Sequence, residues 1–213
     1  MKKNTNPWEE ISLLDYERHM SLDSVKQLQT LNQIMKRQFS TYTANTLMIL
    51  GIAGGNGLEH VNPNSFHKVY GVDVNGEYLR AVSDRQGSLG DMLECLEIDL
   101  LQEVDKLPKA DLLLANLLIE YIGYRAFQKA VKQVNPAYVS CVIQLNEEDA
   151  QWVSDSPYLH AFDGLDAVHH QMNSKKLIAE MDNIGYQQIL FETEALPNGK
   201  ELVRIDFGRR KDI

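Results

Sequence analysis

The sequence predicts an α/β fold: a doubly wound, mostly parallel seven-stranded sheet that ends in an antiparallel hairpin, with helices on both faces and a helical extension at the N-terminus. Three observations predict it. Short apolar runs alternate with helical patterns from about residue 46 onward. The first run, Leu47-Met48-Ile49-Leu50, ends in the small-residue cluster Gly51-Ile52-Ala53-Gly54-Gly55-Asn56-Gly57, which reads as a buried strand, a tight turn and a helix start. The chain closes on two strand-like runs separated by Leu196-Pro197-Asn198-Gly199-Lys200, the composition of a hairpin turn.

The elements follow in order. Pro7-Trp8-Glu9-Glu10-Ile11 and the stretch from Leu13 to Met20 precede the sheet. From Ser21 to Phe39 apolar residues recur at Leu22, Val25, Leu28, Leu31, Ile34 and Met35, a helix with one face for a core. Residues 1–40 are thus expected as a helical segment, placed to act as a lid over the site of a domain spanning 41–213. In that domain the pattern predicts strands at 46–52, 68–74, 93–98, 110–116 and 137–145, and helices near 57–62 and at 76–85 and 119–134. A long loop, a helix at 172–184 and the closing strands at 186–194 and 201–209 complete it.

Composition narrows the function classes. A chain of 213 residues with 44% hydrophobic and 24% charged residues is expected to form one ordinary soluble domain. It contains no apolar run of bilayer length, and Lys2-Lys3 leads into a polar stretch rather than a signal peptide, so no membrane partner is expected. The two cysteines, Cys95 and Cys141, fall in apolar runs and are expected as buried thiols, with the cytoplasm as the natural setting. The net charge of −9 and the lack of a basic patch before Arg209-Arg210-Lys211 disfavour a nucleic-acid partner. No Cys/His cluster has metal-binding spacing.

The glycine turn separates two classes of nucleotide-binding enzyme. The dinucleotide fingerprint G-x-G-x-x-G fits no register here: from Gly51 it meets Ala53 and Asn56, and from Gly55 it meets Gly57 and then His60. The window instead resembles the first motif of the class I S-adenosylmethionine-dependent methyltransferases, a strand running into acidic-x-Gly-x-Gly-x-Gly. Gly51 stands at the acidic position and Ala53 at the first glycine, while Gly55-Asn56-Gly57 keeps the second half. The resemblance spans about residues 45–209 and implies a Rossmann-like sheet ending in a hairpin. It also implies S-adenosyl-L-methionine as cofactor, with S-adenosyl-L-homocysteine as product. Tight packing without a ligand is the alternative reading of such a turn, and a catalytically silent binding module is the alternative for the whole chain.

Later strand ends extend the resemblance. The run Lys68 to Asn75 places Asp73 about 20 residues beyond the glycine turn, where a carboxylate accepts ribose hydroxyls. Leu93 to Asp99 ends in Asp99, which in the resembling family meets the adenine amino group, followed by Leu100. The run from Ala110 ends in Asn116. Polar residues at neighbouring strand ends converge in an open parallel sheet, so the expected cofactor site comprises Gly51, Ala53, Gly54, Gly55, Asn56, Gly57, Asp73, Val74, Asp99, Leu100 and Asn116.

Methyl transfer from a sulfonium is an in-line displacement in which positioning dominates. Candidates for a base or substrate orienter are Tyr16 and His19, three apart and so on one face of a helix, and Glu120 and Tyr121 after the fourth strand. His160, His169 and His170 are further candidates in the late loop, although adjacent residues diverge on regular elements and the His169-His170 pair reads more readily as a solvated approach to a helix. Asn116-Leu117-Leu118-Ile119 lacks the prolines of the Asn-Pro-Pro-Tyr motif of nucleobase and glutamine N-methyltransferases, which favours small metabolites. The stretch Trp152 to Met172 is long enough to shape a pocket.

Overall fold

β1 (Thr46–Leu50), β2 (Lys68–Asp73), β3 (Leu93–Glu97) and β4 (Leu112–Asn116) are short apolar strands; β5 (Tyr138–Leu145), β6 (Tyr186–Ala195) and β7 (Glu201–Arg209) are longer. They form one sheet in the order β3-β2-β1-β4-β5-β7-β6. The first five pair in parallel and β7 runs antiparallel to both β5 and β6, so the sheet is mixed and closes in the expected hairpin. Strand order reverses between β1 and β4, where an open α/β sheet leaves a crevice beyond the carboxyl ends of its strands. The structure, a computed structural model, describes residues 6–146 and 151–210; Lys2, Lys3 and Lys211 lie outside that range.

Five α-helices of the described residues flank the sheet: α1 (Leu13–Ser21), α2 (Gln27–Thr41), α3 (Gly76–Arg85), α4 (Ile119–Val134) and α5 (Ser174–Asp182). α3 and α4 coincide with the pattern at 76–85 and 119–134. Asn75 caps α3 by accepting from the N–H groups of Glu77 and Tyr78, and Asn173 caps α5 through Lys176 N–H, which delays that helix to residue 174.

Two elements differ from the pattern. The helix expected near 57–62 is a single 3-10 turn over Leu58–His60. Gly57 enters it at φ 86°, and Asn62-Pro63 follows at once; the residue before a proline avoids the helical region, so no longer helix forms. The helix expected from Ser21 begins only at Gln27, because a separate helix, α1, ends at Ser21 and Lys26 adopts a left-handed φ of 55° before α2 begins. Leu22 and Val25 sit in the connection, while α2 runs past residue 40 to Thr41.

Alternation along the strands divides the core between the two faces. Leu47 and Ile49 of β1 and Leu112 and Leu114 of β4 meet Met35 and Phe39 of α2 and Leu79 and Val82 of α3. Met48, Leu50, Leu113 and Ala115 face the other way, toward Phe127 and Val131 of α4 and Leu177 and Met181 of α5. Cys141 is fully buried in that second cluster; Cys95 is only half-buried, because β3 is the sheet's edge. Arg204 and Asp206, both on β7 and both buried, form an ion pair completed by Ser140 and by Tyr42 Oη, which donates to Asp206 Oδ2 at 2.9 Å. Among the described residues no helix is long and apolar enough to cross a membrane.

Candidate functional site

The carboxyl ends of β1, β2, β3 and β4 open into a cleft. Gly51 and Ala53 line it from β1, Asp73 and Val74 from β2, Asp99 and Leu100 from beyond β3, and Asn116 from β4. The cleft therefore lies at the reversal of strand order. Its walls beside Asp99 are apolar, formed by Ile98, Leu101, Leu118 and Ile122.

Asp73 terminates β2 with both carboxylate oxygens tied to backbone: Oδ2 accepts from Ala53 N–H at 2.9 Å and Oδ1 from Asn75 N–H at 3.0 Å. Burial raises its pKa above the ordinary carboxylate value, against the lowering effect of those N–H donors. Asp99 Oδ1 caps its own turn through Leu101 N–H at 2.9 Å, and Oδ2 accepts from Gln102 at 2.8 Å. Each bonded oxygen keeps a second lone pair for a hydroxyl or amino donor.

The glycine turn splits into two roles. Gly51 (φ 68°) and Ala53 (φ 47°) present backbone to the cleft. Gly54, Gly55, Asn56 and Gly57 lie outside its lining and serve packing. A Cβ on Gly54 would sit 2.2 Å from Glu17 Oε1, one on Gly57 would sit 2.9 Å from Met35, and Asn56 donates to the Leu28 carbonyl of α2 at 2.9 Å. The turn thus lets α1 and α2 seat on the sheet.

A second cavity adjoins the first. Trp8, Tyr16, Leu117 and Tyr121 line both. Two left-handed residues, Leu117 (φ 52°) and Gly123 (φ 72°), bracket the first turn of α4 and turn Glu120 and Tyr121 inward. Glu120 is 4% exposed. Its Oε1 accepts from Gln144 N–H at 2.8 Å, whereas Oε2 is buried without a hydrogen-bond partner among the described residues. Burial pushes its pKa up to about 7. Burial lowers that of His19 to about 4, helped by the charge of Lys200.

The leading segment contributes Asn6, Trp8 and Tyr16 to the lining of the first space and Trp8, Tyr16, His19 and Met20 to that of the second. Asn75 Nδ2 donates to the Trp8 carbonyl at 2.9 Å, Tyr78 Oη donates to the Ile11 carbonyl at 2.9 Å, and Arg85 of α3 pairs with Glu17 of α1 at 3.1 Å. His19 Nδ1 meets Ser156 Oγ at 2.7 Å and its ring lies 4.7 Å from that of Phe162. Tyr16 and His19 do share a face of α1, and both line the second cavity. Burial raises the Tyr16 pKa above its ordinary value, with the nearby Asp73 charge adding to the effect.

Of the late-loop histidines, His169 stacks on Trp152 with ring centroids 4.2 Å apart and lines the second cavity. His170 donates its backbone N–H to the Glu120 carbonyl at 2.6 Å, and His160 is exposed beside Asp163. Sequence reasoning assigned no role to Trp8, Leu117, Gln144 or Lys200. Gln144, polar at the carboxyl end of an otherwise apolar run, carried a usable signal. Lys200, buried with its pKa lowered to about 8 and donating to the Trp152 carbonyl at 2.6 Å, carried none.

No family model matches this sequence, and no curated protein matches it. Solved structures do. The N-methyltransferase NodS from Bradyrhizobium japonicum WM9, in complex with S-adenosyl-L-homocysteine, superposes with a TM-score of 0.67 at 13% identity over 97% of this chain and 100% of its own. Geranyl diphosphate methyltransferase, in complex with S-adenosylmethionine, gives 0.65 at 13% identity over 85% of both chains. The [4+2]-cyclase SpnF gives 0.65 at 10% identity over 86% of this chain and 82% of its own. Sheet order, the closing hairpin and these superpositions together establish that the chain has the class I S-adenosylmethionine-dependent methyltransferase fold.

Proposed function

We propose that this chain is an S-adenosylmethionine-dependent methyltransferase acting on a small molecule, with the cofactor in the cleft at the strand ends and the acceptor in the cavity beside it. The observation that carries the reading is the junction of the two spaces across Trp8, Tyr16, Leu117 and Tyr121. A donor and an acceptor held on either side of such a junction face each other, and holding reactants in line is worth about 7–11 kcal/mol of a barrier. NodS and geranyl diphosphate methyltransferase, by their names, transfer methyl groups within this fold.

The residues fit the cofactor. A planar purine fits between Ile98, Leu101 and Leu118, with Asp99 at its edge for the amino group. Asp73 is held by two backbone donors with a lone pair of each oxygen left for a ribose hydroxyl. When bound, S-adenosylmethionine supplies an activated methyl group on a sulfonium and leaves as the thioether. The chain's own residues orient the acceptor, exclude water and accept its proton. Tyr16 and His19 on α1, with the segment before them, act as a lid. The expected setting is a reducing compartment such as the cytoplasm, with neither nucleic acid nor membrane as partner.

Gly51 at the position where the family carries an acid favours a second reading, a module that binds the cofactor without transferring its methyl group. Calorimetric titration with S-adenosylmethionine and S-adenosylhomocysteine tests both. Asp73→Ala is expected to weaken either ligand by about 3 kcal/mol or more, since charge-assisted hydrogen bonds are lost. Unchanged affinity refutes the cofactor assignment; tight binding with no transfer to any amine, hydroxyl or thiol acceptor supports the silent module.

A further inference from the structure

Among the described residues, Glu120 Oε2 is an acceptor with no donor. The carboxylate lines the second cavity at 4% exposure, its other oxygen is held by Gln144 N–H at 2.8 Å, and Oε2 has no partner among the described residues. A buried carboxylate oxygen left unsatisfied is costly, so the site is built for a donor brought from outside. The space around it is aromatic: Trp8 and Tyr121 lie edge to face at 4.8 Å, and Trp152 stacks on His169 at 4.2 Å with Phe162 also in the wall. Such ring faces attract cations, most strongly when desolvated. Among the described residues lining the cavity there is no lysine or arginine. Lys200 lies outside the lining, anchored on the Trp152 carbonyl at 2.6 Å, although its charge reaches His19 and His169 in the wall and adds to the lowering of both pKa values by burial.

We propose that the second cavity takes its acceptor as a protonated amine, which Glu120 Oε2 binds as ion-pair partner and from which it then removes a proton. An anionic acceptor meets the unpaired carboxylate and is repelled; a neutral alcohol satisfies the hydrogen bond but leaves the charge and the ring faces unused. The proton step balances within the pair: one N–H bond of the ammonium breaks, the proton joins Oε2 to give a neutral carboxylic acid, and the amine keeps the electron pair as a nucleophile. Burial already holds this carboxyl near neutrality, where a base exchanges protons most effectively. The assignment rests on the methyl-transfer reading of the neighbouring cleft and names the acceptor class within it.

Both tryptophans of the chain, Trp8 and Trp152, line this cavity, so intrinsic fluorescence reports its occupancy. The whole chain is titrated with phenethylamine, phenethyl alcohol and hydrocinnamate, with and without saturating S-adenosylhomocysteine. These probes share an aromatic body and are cationic, neutral and anionic. The amine is expected to bind at least about tenfold more tightly than the other two, the scale of a charge-assisted hydrogen bond. Glu120→Gln is expected to remove that preference, the amine losing the ion pair and weakening more than the alcohol, which keeps a neutral amide partner. Equal or tighter binding of the alcohol or the acid, no binding by any probe, or a preference that survives Glu120→Gln overturns the assignment. Should the variant not fold, as read by circular dichroism, the wild-type ranking decides alone. Retained S-adenosylhomocysteine binding without amine preference overturns only the acceptor class; lost S-adenosylhomocysteine binding overturns the methyl-transfer reading itself.

Discussion

Gln38 and Asn116 exchange a pair of amide hydrogen bonds: Gln38 Nε2 donates to Asn116 Oδ1 at 3.0 Å, and Asn116 Nδ2 donates to Gln38 Oε1 at 2.9 Å. The pair joins α2 to the end of β4, where Asn116 lines the candidate cofactor cleft. Gln38 is fully buried and also donates to Ser140 at 2.8 Å, which continues the chain of bonds to Asp206. Gln38→Ala leaves the Asn116 amide and Ser140 without that partner. A loss of about 1–3 kcal/mol in urea unfolding is expected, together with weaker S-adenosylhomocysteine binding by calorimetry. A variant as stable as wild type removes the network from the account.

The two halves of the glycine turn are separable by substitution. Gly57→Ala forces a Cβ onto a residue at φ 86° and to within 2.9 Å of Met35, so it should lower stability by about 1–2 kcal/mol or more. Because Gly57 lies outside the cleft, affinity for S-adenosylhomocysteine in the folded variant should stay within about threefold. Gly51→Ala, at φ 68° and lining the cleft, should lower both. Thermal melts beside calorimetric titrations distinguish the two patterns.

Asp206 is fully buried against Arg204, which is itself 1% exposed. Asp206→Asn keeps the shape and removes the closer of the two carboxylates that pair with Arg204, leaving Glu192 at 3.7 Å; breaking a buried pair costs about 3–5 kcal/mol, and the remaining partner sets the expectation at the lower end. Equilibrium unfolding measures it. A double Arg204→Met, Asp206→Leu variant should recover much of the loss, since removing both charges leaves neither unpaired.

The Glu120 carboxyl has a native pKa near 7 against 4.5 in its ordinary state. Between those values the folded chain holds a proton that the unfolded chain has released, so this group's contribution falls as pH rises through the window and levels off above it. Glu120→Gln has no such titration. Measured across pH 4.5 to 8, the stability of the variant relative to wild type should therefore rise by up to about 3 kcal/mol, with most of the change complete by about pH 7. His19, whose pKa shifts the opposite way, is present in both proteins and cancels in the difference. A difference independent of pH would falsify the assignment of a raised pKa to Glu120.

Local pattern carried the architecture. Apolar runs, the small-residue turn at Gly51–Gly57 and the turn at Pro197-Asn198-Gly199 determined by themselves the order of strands and of most helices, and with it the convergence of Asp73, Asp99 and Asn116 at neighbouring strand ends. Periodicity and turn chemistry act over a few residues and are written directly in the chain. The missing helix after Gly57 was legible too, in Asn62-Pro63, once that proline is weighed against the glycine turn. Tertiary structure alone decided which side of the turn faces the cleft and that Trp8, Leu117 and Gln144 join the site. It also decided that one oxygen of Glu120 is left without a donor. Those properties depend on contacts between residues far apart, such as Asn75 with the Trp8 carbonyl across 67 positions, or Gln144 with Glu120 across 24. Burial and an unsatisfied lone pair are set by what surrounds an atom, and the surroundings exist only once the chain has folded.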